Sequence, residues 1–175
     1  MLTCDFQLFF THTSHIQYKS NIIGVYHIVT VKKGGAMMNS NKPSILACVT
    51  SQYECDRIIE TAAALAEEQE CELRVLSVLK PMTSYTDISD ELEYLNRVSK
   101  EHGADMTVIF SDYAPAAAAT FVTENHISRI VTGMHDGGSE SFLVMFNRFA
   151  PEVSITMVAK DNLIYSMDVS RAAVR

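Results

Sequence analysis

From residue 44 onward the chain alternates short apolar runs with segments whose apolar positions recur every three or four residues. Positions 45–49, Ile-Leu-Ala-Cys-Val, have no polar interruption, which is the pattern of a strand covered on both faces. Ile58, Ile59, Ala62, Ala63, Leu65 and Ala66 then share one side of a helix, with Asp56, Arg57, Glu60, Glu67 and Glu68 on its wetter side. A second strand is predicted over 73–79, and Lys80-Pro81 stops it because proline has no N–H for a ladder. Ile88, Leu92, Leu95 and Val98 step by four, three and three along a second helix, which Gly103 ends.

A third strand follows at 106–110, and Ser111-Asp112 reads as the cap of a helix with Pro115 in its first turn and Phe121 and Val122 farther on. The fourth strand, 129–132, leads through Gly133 and the loop 134–138 to Ser139, read as the cap of a helix holding Phe142, Leu143, Met145, Phe146 and Phe149. Pro151 closes that helix, and 154–159 alternates in the manner of an edge strand. Strands alternating with helices and joined by right-handed crossovers imply an α/β fold. The expectation is a five-stranded parallel, doubly wound (Rossmann-like) sheet in three layers, α/β/α.

This domain is placed at 44–160, with a tail at 161–175 that shows no strong pattern. Residues 1–36 lack helical periodicity, and purine-rich codons for Lys32-Lys33-Gly34-Gly35 would spell something close to a bacterial ribosome-binding site. Translation is therefore expected to begin at Met37 or Met38, the alternative being a genuine arm, β-rich or disordered.

Composition narrows the function. The 175 residues carry 14 basic and 21 acidic side chains, a net of -7. Without residues 1–36, which hold three lysines and one aspartate, the counts become 11 and 20 and the net becomes -9. Such a chain has no positive field for nucleic acid or an anionic membrane surface. The apolar stretch at 21–31 is well short of the roughly 20 residues that span a bilayer and includes His27, so no membrane anchor is expected. Residues 1–10 lack a secretory signal's positive region, and Cys4, Cys48, Cys55 and Cys71 form no CxxC pair. A reducing cytoplasm fits them.

The segment 44–51, Ser-Ile-Leu-Ala-Cys-Val-Thr-Ser, followed by Asp56-Arg57-Ile58-Ile59 and the alanine-rich run 62–66, resembles the universal stress protein family. So does 124–133, Glu-Asn-His-Ile-Ser-Arg-Ile-Val-Thr-Gly. The similarity is closest to the stress-protein-like domain of potassium-sensing histidine kinases. It implies strand order 3-2-1-4-5, a bacterial stress-response or signalling role, and adenine nucleotide, where bound, at the carboxyl ends of strands one and four. It also implies a homodimer through the strand at 154–159.

Nucleotide-binding members carry an aspartate at the end of strand one, where this chain has Thr50, followed by Ser51. They then place a glycine, two residues, a glycine, about nine residues, and a glycine followed by serine or threonine. Gly133 matches the first position, the second falls on Asp136 just before Gly137 and Gly138, and the last pair falls near Phe146 and Asn147. A carboxylate about 4 Å from a phosphate charge near a surface is repelled by roughly 4 kcal/mol. The residues left to hold a nucleotide are Thr50, Ser51, Gly133, Gly137, Gly138 and Ser139, the last three as an amide nest for one phosphate. The alternative is an ordinary loop with a serine cap.

No G-x-S-x-G elbow, P-loop or H-E-x-x-H is present, and His135-Asp136 reads as loop, so neither an enzyme nor a metal site is expected. Cys48 and Cys55 read as structural, and Phe142, Met145, Phe146 and Phe149 as core. The resulting expectation is a stress-response regulator that acts by binding partners, with a degraded ATP motif, no cofactor, and a separate signalling protein as partner. The alternative is a sensor of adenine nucleotides, such as ATP or AMP, or of cyclic dinucleotides.

Overall fold

The computed structural model describes residues 15–21, 26–32, 42–81, 88–134 and 141–169. Its centre is β3 (Ser44–Val49), whose six residues are all buried, as an uninterrupted apolar run requires. Parallel to it on one side lie β4 (Glu72–Leu79) and then β5 (Met106–Phe110), and on the other β6 (Ile127–Gly133) and then β7 (Ser154–Val158). The order β5-β4-β3-β6-β7 is the expected 3-2-1-4-5 arrangement of the five parallel strands.

The sheet is wider than expected, because antiparallel strands close both edges. β1 (His15–Asn21) and β2 (Tyr26–Lys32) form a hairpin that pairs with β5, joining Thr30 to Thr107 and His27 to Phe110. These strands fall within the stretch in which the sequence showed no pattern. Met37 and Met38, the expected start positions, lie outside the described residues. At the other edge β8 (Ile164–Met167), from the supposed tail, runs antiparallel to β7. All four of its residues are exposed, so it carries no apolar alternation to read. Asp161 makes the turn before it by accepting from the N–H of Leu163 at 3.2 Å, and Asn162 adopts φ 64, a conformation asparagine tolerates well.

Helices α1 (Asp56–Glu68) and α2 (Ser89–Glu101) cover one face, and α3 (Ala114–Glu124) and α4 (Phe142–Phe149) the other. Alternation along each strand divides the core accordingly. Ile45, Ala47, Val49, Val75 and Val131 meet α1 and α2, whereas Leu46, Leu76, Ile109, Ile130 and Ile155 meet α3 and α4. Gly103 ends α2 at φ 72, where its N–H bonds to Lys100 O, the left-handed stop the sequence indicates. The cap of α3 differs from expectation. Tyr113 holds that position, and Ser111 Oγ instead accepts from the Tyr113 N–H at 3.1 Å. Among the described residues no helix is long and apolar enough to cross a membrane.

One core residue opposes the packing around it. Ser77, in β4, is 0% exposed, and its hydroxyl has no hydrogen-bond partner among the described residues. A buried orphan of this kind costs about 1–3 kcal/mol. Ser77→Ala is therefore expected to raise Tm by roughly 2–12 °C in thermal unfolding followed by circular dichroism. An unchanged or lower Tm would show that the hydroxyl is satisfied.

Candidate functional site

The connection leaving β3 runs to one side of the sheet, and the chain returns on the other side as β6, so a crevice opens beyond the carboxyl ends of these two strands. A cavity of about 240 Å³ lies there, on the face covered by α3 and α4. Its walls are mostly apolar and include Cys48, Leu76, Val78, Ala118, Phe142 and Leu143, with Thr50, Thr132 and Gly133 at the strand ends.

The sequence-derived site residues divide into three groups. Thr50 and Gly133 line the cavity together. Ser51 is half-buried next to Thr50 but is not part of the lining. Gly137, Gly138 and Ser139, together with His135 and Asp136, lie outside the described residues. Thr50 is exposed; its hydroxyl donates to Gln52 Oε1 at 3.3 Å and lies 3.3 Å from the thiol of Cys55. A Cβ on Gly133 would come no closer than 3.4 Å to Ile58 and 3.9 Å to Arg57, ordinary contacts, so the protein's own packing does not demand glycine there.

Helix α4 begins two residues later than the sequence suggested. Its cap is Ser141, whose Oγ accepts from the Val144 N–H at 3.4 Å, in place of the expected Ser139. Of the aromatic stripe assigned to the core, Phe146 is fully buried and stacks on Phe142 with ring centroids 5.8 Å apart. Phe149 instead stands 50% exposed against Tyr113. Phe146 occupies the region where the nucleotide pattern would place its last glycine, and Asn147 beside it faces water.

Two further groups were not legible in the sequence. Arg57, on the supposedly wet side of α1, donates through Nη1 to the carbonyls of Val158 at 2.9 Å and Ala159 at 2.6 Å. The Val158 carbonyl also accepts the Met134 N–H at 2.9 Å, so the start of α1, the exit of β6 and the end of β7 converge on one oxygen. Asp56 accepts from Tyr94 Oη at 2.7 Å, and that bond pushes the Tyr94 phenol above its ordinary range. Neither link could be read from spacing, because each joins elements distant in the chain.

The expected free edge is corrected as well. β7 is flanked by β6 and β8, and Val158, Met157, Thr156 and Ile155 all have partners in β8. The strand at 154–159 therefore offers a twin no open ladder. Polar contacts reinforce the cover: Arg129 pairs with Asp168, and the Val169 N–H reaches Ser154 Oγ at 3.4 Å. Among the described residues no group of three or more His, Cys, Asp or Glu side chains could hold a metal ion.

The sequence matches no family model, and no curated protein matches it significantly. Solved structures do match, several universal stress proteins among them. One, in complex with cAMP, superposes with TM-score 0.55 at 14% identity over 69% of this chain and 98% of its own. One from Burkholderia pseudomallei gives 0.50 at 16% over 69% and 98%. One from Archaeoglobus fulgidus DSM 4304 gives 0.51 at 20% over 74% of this chain and 48% of its own. The chain has the universal stress protein fold, as its sequence resemblance implies.

Burial raises the thiol pKa of Cys48 from 9.0 to about 12. In the unfolded chain this thiol loses its proton near pH 9, so between about pH 9 and 12 the folded state holds a proton that the unfolded state has lost. Stability should fall with rising pH across that window and be unaffected by this group below it. Denaturant midpoints near pH 8 and pH 10 are expected to decline less for Cys48→Ala than for the parent. Equal declines would mean the thiol titrates normally.

Proposed function

We propose that this chain is a bacterial, cytoplasmic stress-response regulator that acts by binding a protein partner, the phosphate grip common to its fold having been lost. The observation that carries this reading is Phe146. A phosphate-binding turn needs glycine so that backbone amides can approach the anion. A fully buried phenylalanine there ties the backbone to the core instead. Exposing such a side chain costs about 1.5–3 kcal/mol, so the helix is held by packing and is not free to wrap a triphosphate. Thr50 supports the same reading, because a hydroxyl already engaged with Gln52 replaces the carboxylate that would read an adenine. In this reading the protein is not an enzyme. Among the described residues, the polar side chains lining the cavity are two threonine hydroxyls and a thiol, and none of the lining residues is a general base.

The cavity itself favours a second reading, a sensor of adenine nucleotides or cyclic dinucleotides, since one protein of this fold was solved with cAMP. Isothermal titration with ATP, AMP, cAMP and cyclic dinucleotides separates the two. No binding tighter than about 10 μM, or roughly -7 kcal/mol, is expected. Tighter binding of any of them selects the sensor.

The partner surface in this proposal is the outer edge of β8. Ile164 is 55% exposed, Tyr165 46% and Met167 48%. An apolar edge strand with an unpaired ladder is a template for a further strand, here that of a second copy. Sedimentation velocity is expected to show a dimer, and a Tyr165→Lys/Met167→Lys variant a monomer with unchanged circular dichroism. A monomeric parent protein would remove this edge as the dimer contact.

A further inference from the structure

We propose that the outer face of α1 and α2 is a docking surface for an arginine-bearing segment of a partner protein, received at Tyr53 and Glu91. The inference rests on the partner-binding reading and gives that partner a chemistry. Neither residue lines the cavity.

Charge sets the sign of the partner. α1 and α2 carry four acidic side chains each and three basic ones between them, whereas α3 and α4 together carry one of each sign. One of the three bases, Arg57, is already turned to the carbonyls of Val158 and Ala159. A layer so biased attracts a cationic segment and repels an anionic one.

An aromatic anchor stands on this layer. The short turn Tyr53–Cys55 brings Tyr53 edge-on to Tyr94 of α2, with ring centroids 5.2 Å apart. Tyr94 is held in turn by its hydroxyl's bond to Asp56 at 2.7 Å and by the Arg97 guanidinium 5.4 Å from its ring. Tyr53, the outer member, is 47% exposed. A ring fixed from behind and open to solvent is a platform for a planar cation, because little side-chain freedom is left to lose on docking.

A carboxylate completes the arrangement. Oε2 of Glu91 is shut off from water and has no hydrogen-bond partner among the described residues. The stretch 82–87, which leads into α2, contains no Lys, Arg or His to pair with it. Partial burial, and then the charges of Glu91 and Asp90, push the Tyr53 phenol above its ordinary range, so both carboxylates lie near the ring. Glu91 as a whole is half-buried, and rotation about its side-chain bonds brings the orphan oxygen to an incoming donor. Arginine suits the pair better than lysine, since its flat fork stacks on the ring while donating to the carboxylate.

The probes are fluorescein-labelled Gly-Ser-repeat peptides bearing three arginines, three lysines or three citrullines, titrated at low salt into the full-length protein and read by anisotropy. The arginine peptide is expected to saturate, the lysine peptide to bind more weakly, and the uncharged citrulline peptide at least about tenfold more weakly. Tyr53→Ala and Glu91→Gln should each weaken the arginine peptide about three- to fivefold. Glu68→Gln, which removes the same charge at the far end of α1, should change it less than about twofold. The comparison of arginine with citrulline needs no variant, so it stands even where one misfolds. Binding that never saturates, lysine or citrulline equal to arginine, affinity unaltered in folded Tyr53→Ala and Glu91→Gln, or an equal loss in Glu68→Gln would each overturn the proposal. Should the peptides and the nucleotides both fail to bind, this surface falls and the partner-binding reading stands; a tightly bound nucleotide removes that reading whatever the peptides do.

Discussion

Ser44–Val49 have no face turned to water, their exposures running from 0 to 9%. A strand in that position must be flanked by strands on both sides and covered by helices above and below. It cannot lie at an edge, so the chain has to build outward from it first in one direction, through β4 and β5, and then in the other, through β6 and β7. The reversal leaves no helix directly over the gap between the carboxyl ends of β3 and β6. The cavity is therefore a consequence of how the central strand is buried, and its apolar lining continues the core that buries it.

The same packing governs what the cavity can do. α4 is fastened through Phe146 and begins with Phe142 and Leu143 at the cavity wall, so one helix both closes the core and shapes the pocket. A glycine-rich phosphate cradle needs backbone close to the ligand, whereas this helix brings side chains close to it. Arg57 bears on the opposite rim. By binding the carbonyls of Val158 and Ala159 it satisfies strand-end acceptors that would otherwise need water and fixes where β7 ends relative to α1.

The parallel core was legible because its signals are local and strong. An uninterrupted apolar run marked β3, a short β-rich run marked β5, the four-three-three spacing marked α2, and Gly103 marked the end of α2. The edge strand β8 was not legible, since periodicity records burial and β8 buries no face. Its one readable trace was the Asp161-Asn162 turn followed by a run rich in β-formers. Ser139 and Ser141 precede the same apolar run, and only backbone geometry separates serines two residues apart. At the site, the strand-end positions Thr50 and Gly133 were found from the family pattern. Thr132 was missed because a threonine within a strand looks like any β-branched residue until its surroundings are known.

β8 is held to β7 by ladder bonds, the Arg129–Asp168 pair and contacts to Ser154 and Thr156, with no buried apolar anchor of its own. None of these bonds depends on which molecule supplies the strand. What keeps β8 at home is the turn between Val158 and Ile164, five residues that hold its local concentration at about the millimolar level. Shortening that turn, or straining it at Asn162, would remove the advantage of the intramolecular strand. The hairpin would then exchange between copies, each molecule completing its neighbour's sheet.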